Sequence, residues 1–100
     1  MQKPDFTIEN RDYYLHPTER LENIHGCHSW RKGYDVIWAW GGVNKKVVGF
    51  IWEEDKNMWK ANAWTEDGCQ TGYYCKNYSK HYFEEKWEAA WWVATGGQNR

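Results

Sequence analysis

The sequence predicts one α+β domain, in which a three- to four-stranded antiparallel meander is packed by one C-terminal amphipathic helix, with a short N-terminal helix or arm. Two patterns predict this class. Between Tyr34 and Thr65, three Trp-containing runs each end in turn-forming residues, which is typical of a meander. Between Phe83 and Ala94, apolar residues recur at helical spacing. The single domain, 1–100, divides into the arm or short helix (1–29), the meander (30–76) and the helix (78–95).

Aromatic residues supply most of the apolar bulk of this chain. Aliphatic residues are few, whereas 19% of the residues are aromatic and nine are Trp. Each buried aromatic ring removes roughly 150–250 Å² from water, so a few rings can replace many aliphatic side chains. Because the net charge is only −1, we expect a folded chain with an aromatic core rather than a disordered segment.

Charge and cysteine content narrow the class of protein. Thirteen basic and fourteen acidic residues give no general attraction to nucleic acid or to an anionic membrane. The first residues, MQKPDFTIENRDYY, contain no apolar run of a secretory signal, and no window reaches the ~18 apolar residues of a membrane-spanning helix. Three cysteines, an odd number with no disulfide-framework spacing, predict free thiols in a reducing cytoplasm. We predict no cofactor and no membrane partner.

The N-terminal third is predicted to be an arm that ends in a short helix. Pro17 stands where a helix can begin, and Glu19 lies in its first turn. Such a helix would run to about Ile24 and would turn Leu21 and Ile24 inward. A loop over the same residues is the alternative.

Three central strands are predicted at Tyr34–Trp40, Lys46–Glu54 and Met58–Thr65. Each has apolar residues on both faces at period-two spacing, which is typical of strands covered on both sides. The Gly41–Lys45 segment supplies the glycines that a hairpin loop needs. A short fourth strand at Thr71–Lys76 is predicted at the edge of the sheet.

The C-terminal helix is predicted to begin at a cap on Asn77 or Ser79 and to run to about Ala94, with Gly96 and Gly97 stopping it. Glu84 and Glu85 would then lie near the positive end of the helix dipole. The residues at i, i+4, i+7, i+8 and i+11 form one apolar stripe, which we expect to be buried: Phe83, Trp87, Ala90, Trp91 and Ala94.

This architecture predicts aromatic surface left over after folding. A helix of ~16 residues is only ~24 Å long, so it can cover one face of the sheet and leaves the other face to the N-terminal third, to a second copy of the chain, or to another protein. Core packing accounts for most of the Trp residues, but Trp and Tyr also dominate interface hot spots. The predicted partner-binding residues are Trp38, Trp40, Trp52, Trp59, Trp64, Trp92, Tyr73 and Tyr74.

A metal site and a thiol enzyme are the chemical alternatives. The residues of a zinc-binding type are His25, Cys27, His28, Cys69 and Cys75. Their spacing matches no familiar paired-ligand pattern, so we predict no metal and expect loop histidines and buried thiols. Cys27 beside two histidines has the residue types of a nucleophile with its base, but no orienting carboxylate or amide can be nominated.

Binding of single-stranded nucleic acid is the runner-up function. Aromatic side chains interleaved with basic residues can stack bases. The basic residues that could gather on one side are Arg31, Lys32, Lys45, Lys46, Lys60, Lys76, Lys80 and Lys86. Asp and Glu are interspersed throughout, however, and no recognition motif is present.

The second half of the chain carries a resemblance. VVGFIWEEDKNMWKANAW, followed by a turn, a short strand and YFEEKWEAAWWVA, resembles the meander-plus-helix units of short uncharacterised phage and prophage proteins, with the aromatic step at Glu88–Trp92. The resemblance implies a mobile-element accessory protein that binds and blocks a host enzyme or defence complex. We therefore predict a small non-enzymatic binding protein whose partner is another protein, such as a host macromolecular complex, with homodimer formation as a further expectation.

Overall fold

The computed structural model describes residues 3–24, 27–65 and 75–97. In them one antiparallel sheet, with its strands in sequential order, curls into a half-barrel and carries one helix. The elements are β1 (Phe6–Ile8), β2 (Arg11–Ile24), β3 (Cys27–Trp40), β4 (Asn44–Asp55), β5 (Met58–Thr65), β6 (Cys75–Tyr78) and α1 (Lys86–Ala94). The α+β character and the antiparallel meander are confirmed. The described sheet has six strands, so the predicted count of three to four was too low.

The predicted N-terminal helix or arm was wrong, because residues 11–24 form the long strand β2. It pairs with β3 without a break, from Asp12 opposite Ala39 to Ile24 opposite Cys27. The proline in this strand, Pro17, is tolerated because of its place in the ladder. In this register, the backbone N–H and C=O groups of the even-numbered residues of β2 point toward β3, and those of the odd-numbered residues point away from it.

The odd-numbered backbone groups of β2 point away from β3. The carbonyl of Tyr13 accepts a hydrogen bond from the Asp5 amide (2.9 Å), and the Leu15 amide donates to the Asp5 carboxylate (2.7 Å). Pro17 continues this odd-numbered series, so its missing N–H lies on the outer side of the strand, where it removes no ladder hydrogen bond. The sequence suggested that Pro17 begins a helix, but in the fold it lies in the part of β2 that extends beyond its pairing with β1.

The predicted central strands lie within β3, β4 and β5: β5 has the predicted bounds, β4 is slightly longer at both ends, and β3 begins earlier, at Cys27. The predicted fourth strand at 71–76 overlaps β6 only at its end, and residues 66–74 lie outside the described residues. A register shift between Val36 and Ile37 interrupts the β3–β4 ladder, so period-two spacing does not hold along the whole of β3.

The helix begins later than predicted because the residues before it are bound to β5. The Ser79 hydroxyl accepts a hydrogen bond from the Ala61 amide (3.1 Å), and the Ser79 amide donates to the Ala61 carbonyl (2.9 Å). Phe83 forms a two-way backbone bridge with Trp59, at 2.8 and 2.9 Å. Ser79 is therefore a sheet contact and not a cap, and α1 starts at Lys86 after Glu85.

The helix ends as the two glycines predict. The Gly97 amide donates to the Trp92 carbonyl (2.8 Å), and the Gly96 amide donates to the Val93 carbonyl (3.1 Å). This pair of bonds is the Schellman arrangement, which requires a left-handed residue after the helix. Gly96, with φ +99°, supplies it at little steric cost.

The buried face of α1 differs from the predicted stripe. Ala89, Ala90 and Val93 are buried, whereas Trp87 and Trp91 are exposed. Ala90 alone of the predicted stripe is fully buried. The stripe of large rings was wrong because the helix lies close against the sheet backbone, and only small side chains fit into that space.

Two apolar layers lie on opposite faces of the sheet. Under the helix, Tyr13, Val36 and Ile51 join the small helix residues in one core cluster. On the other face Phe50 and Trp52 are fully buried, with their rings stacked at 5.6 Å and 19°. The curl of the sheet covers this second face with its own strands, so no separate lid is needed for it.

Candidate functional site

The predicted contact residues lie in different environments. Trp40 is 42% exposed, and Trp52 has no exposed surface. The half-buried members are Trp38, Trp59, Trp64 and Trp92. Tyr73 and Tyr74 lie outside the described residues. Because a fully buried indole cannot contact a partner of the folded monomer, Trp52 is a core residue, and the expectation that it contributes surface is corrected.

Two of the half-buried indoles have packing roles. Trp59 joins the core under the helix, with its ring 6.3 Å from that of Tyr34. Trp64 lies beneath the guanidinium of Arg20, 4.6 Å from the ring centre. These two side chains fall on opposite faces of the sheet, as their opposite parity in the sequence predicts.

The two most exposed indoles of the helix, Trp87 and Trp91, were predicted from the sequence to be buried. Trp87 is 44% and Trp91 57% exposed. They are four residues apart, so they lie on the same side of α1, one turn from each other. The available signal was the small-residue set Ala89, Ala90 and Val93, which marks an alternative helix face that can approach a sheet closely.

These indoles border a shallow, open groove of about 450 Å³, named here the helix groove. Its lining residues are Phe83, Trp87, Glu88, Trp91 and Trp92. Phe83 and Trp92 contact each other with ring centres 6.1 Å apart at 47°. The groove is therefore lined by aromatic carbon, with one carboxylate among its lining residues.

The walls of the helix groove are held by the rest of the fold. The backbone bridge to Trp59 fixes Phe83 against β5. The ring of Trp87 meets that of Phe6 edge-on at 6.2 Å, and the Lys86 ammonium lies 5.1 Å from its centre. Side chains that are already held in place, such as Phe83 and Trp87, lose little entropy on binding, which favours affinity.

The electrostatic surroundings of the helix groove are acidic. Glu88 lines the groove, and Glu84 and Glu85 immediately precede α1; all three are exposed, and together they are named here the acidic rim. The nearest cation in sequence, Lys86, is half-buried between the rings of Tyr34 (5.2 Å) and Trp87. Residues 83–92 therefore carry three carboxylates against one ammonium, which is a local excess of negative charge.

A second aromatic surface lies at the far end of β3, named here the Trp38–Trp40 patch. The two rings are 4.3 Å apart and tilted by 31°, and the Arg11 guanidinium lies 4.7 Å from the Trp38 ring centre. Lys46 is paired opposite Trp38 in the β3–β4 ladder, so its side chain lies on the same face of the sheet as the two rings. This patch therefore combines indole rings with basic residues.

A polar network holds the curl of the sheet. Glu22 is only 1% exposed. Its carboxylate accepts hydrogen bonds from Nδ2 of Asn62 on β5 (3.1 and 3.3 Å) and from the Tyr78 hydroxyl on β6 (2.8 Å). These bonds join β2 to strands that it does not pair with, across the concave face. A buried carboxylate with such donors is satisfied, and its role here is to close the half-barrel.

An ion pair lies beside this network. Arg20 donates to both carboxylate oxygens of Asp35, at 2.6 and 2.7 Å. These hydrogen bonds raise the pKa of Arg20 above its ordinary value, although partial burial opposes them. On β5, burial lowers the pKa of Lys60 despite the opposing charge of Glu54. The Lys60 ammonium donates to the Ser79 carbonyl (2.7 Å).

The residues of the metal alternative are only partly described. His25 and Cys69 lie outside the described residues, as do the side chains of Cys27 and Cys75, while His28 is exposed. Among the described residues, no group of three or more His, Cys, Asp and Glu side chains is placed to hold a metal ion.

Comparison of the chain with protein-family models, with curated proteins and with solved structures gave no match. None of the described helices combines the length and the apolar character needed to cross a membrane.

Proposed function

We propose that this protein is a small non-enzymatic binding protein that docks another protein in the helix groove. The observation that supports this most is the exposure of Trp87 and Trp91 on the same side of α1, beside the rings of Phe83 and Trp92. Exposed apolar patches on a folded chain mark interaction sites. Trp is also the residue type most enriched among those that dominate binding energy.

The contact set differs from the one that the sequence predicts. Trp92 stays in it, as a lining residue of the helix groove. Trp87 and Trp91 join it, and the buried Trp52 leaves it. Trp40 belongs to a separate surface, because it lies on the Trp38–Trp40 patch.

The specific version of this proposal is a phage-encoded inhibitor of a host enzyme or defence complex. It rests on the resemblance to phage proteins together with the aromatic lining of the helix groove. An inhibitor must remain bound at low concentration, and large rings that the fold already holds, such as Phe83 and Trp87, contribute affinity at a small ordering cost.

A matched pair of variants tests the docking site. Trp91→Ala removes an exposed indole of the helix groove, and Trp30→Ala removes an indole that is 68% exposed on β3, away from it. Tagged wild-type protein and both variants would capture partners from an extract of the source cell, with quantitative mass spectrometry as the readout. We expect a partner that wild type and Trp30→Ala retain equally and Trp91→Ala loses. Equal retention by all three would place the contact elsewhere and contradict the proposal.

Single-stranded nucleic-acid binding is the second candidate, favoured by the Trp38–Trp40 patch. Arg11 over Trp38, with Lys46 opposite Trp38 in the ladder, provides a stacking surface with basic neighbours. A fluorescein-labelled oligonucleotide titrated at two salt concentrations tests it. Binding that falls steeply with salt and is lost in Trp40→Ala would support this function over protein docking.

A further inference from the structure

We infer that the partner segment bound in the helix groove carries an arginine or lysine beside an apolar side chain. This inference rests on the proposed docking function and adds the chemistry of the occupant. It follows from the acidic rim, which the apolar lining of the groove does not explain.

The acidic rim is available to a partner. In the described part of the chain, the side chains of Glu84, Glu85 and Glu88 make no hydrogen bond or ion pair, and all three are exposed. The intervening Lys86 is held over two rings and is half-buried. One exposed carboxylate, that of Glu88, thus lies in the wall of an otherwise aromatic groove, and two more exposed carboxylates immediately precede the helix.

The spacing on α1 brings a carboxylate and an indole together. Glu88 precedes Trp91 by three residues and Trp92 by four, so these side chains are neighbours on the helix surface. A guanidinium can stack on an indole face while it donates to a carboxylate, which an ammonium does less well. Of the two basic residues, arginine therefore fits this part of the groove better.

The same charges disfavour two other occupants. A second copy docking through its own α1 would place one acidic rim against the other, and like charges in contact reduce affinity. A nucleic acid would bring phosphates to the same carboxylates. A protein segment with basic and apolar side chains meets no such repulsion.

A random 12-residue peptide library displayed on a surface and selected on the wild-type protein provides the test. Parallel selection on Trp91→Ala identifies the peptides that use the helix groove. We expect Trp91-dependent peptides to be enriched in arginine and lysine next to Leu, Ile, Phe or Trp. The triple variant Glu84→Gln/Glu85→Gln/Glu88→Gln should bind these peptides roughly 3- to 30-fold more weakly, since exposed ion pairs each contribute little.

The outcomes separate this inference from the proposal beneath it. Trp91-dependent peptides with no basic enrichment, and with unchanged affinity in the triple variant, would overturn the inference and leave protein docking intact. Selection of no Trp91-dependent peptide would overturn the docking function itself. A wild-type dimer in sedimentation equilibrium that Trp91→Ala dissociates would make a second copy the occupant and would also overturn the inference. Circular dichroism of the variants confirms that each remains folded.

Discussion

Gly49 and Val93 meet where α1 lies on the sheet: a Cβ placed on Gly49 would lie 2.4 Å from Cγ1 of Val93. Real Cβ atoms do not approach other carbons that closely. The helix can therefore lie this close to β4 only because residue 49 has no side chain. The same hypothetical Cβ would lie 2.5 Å from the carbonyl oxygen of Asn62. This close approach fixes which face of the helix is buried and leaves the indoles outside.

Gly49→Ala is expected to destabilise the fold by roughly 1–3 kcal/mol, because overpacking moves the helix or strains the sheet. The free energy of unfolding in urea is the measurement. A double-mutant cycle with Val93→Ala provides the control. The double variant should lose less stability than the two single variants together, since part of the clash is removed. Full additivity would show that Gly49 and Val93 are not in contact.

Trp91→Ala is expected to change stability by no more than about 0.5 kcal/mol, because the ring is exposed. Trp52→Ala should instead cost about 3–5 kcal/mol, since its indole is fully buried. Urea unfolding of both variants compares the two sites directly. If Trp91→Ala is the more destabilised, its ring belongs to the core and the helix groove is not a free surface.

Tyr78→Phe is expected to cost about 1.5–3 kcal/mol, because it removes a hydrogen bond to the buried Glu22 carboxylate. Tyr82→Phe is the matched control: Tyr82 is exposed, and its ring rather than its hydroxyl faces the Lys60 ammonium. That variant should stay within about 0.5 kcal/mol of wild type in thermal unfolding. Equal effects of the two substitutions would argue against a closing role for Glu22.

Arg20→Lys is expected to cost roughly 1–3 kcal/mol, because lysine cannot reproduce the two-pronged bond to Asp35 or stack as well on Trp64. Glu19→Gln serves as the comparison, since the Glu19–Lys32 pair is exposed at 3.7 Å. Loss of that exposed pair should be worth less than about 1 kcal/mol. Denaturant midpoints at low and high salt measure both, and a larger loss in Glu19→Gln would contradict the structure.

The sequence predicts the middle of the sheet well because local pattern decides it. In β4 and β5, apolar residues recur on both faces and polar turns separate the strands. β2 carries no such pattern in its second half. Its inward carboxylate, Glu22, is satisfied by Asn62 and Tyr78, which lie 40 and 56 residues away, and no local window contains those partners.

The helix shows the same limit for the candidate site. Periodicity marks Trp87 and Trp91 as one apolar stripe, but which stripe is buried depends on what the sheet offers. Gly49 lies 44 positions before Val93 in the chain. It lets the helix approach the sheet so closely that small side chains, Ala89, Ala90 and Val93, face the sheet. This close approach turns the small residues of α1 toward the sheet and leaves the indoles outside, where they line the helix groove. Helical spacing alone cannot reveal which side of α1 is buried.

The outer side of β2 has a consequence for how this chain behaves in a crowded solution. Unpaired N–H and C=O groups along a strand can pair with a strand of another molecule, and a chain with nine indoles would be especially prone to such association. Asp5 blocks one donor on that side and Pro17 removes the next. Two consecutive outward positions of β2 thus offer no free N–H to an added strand, which hinders edge-to-edge aggregation at this part of the sheet.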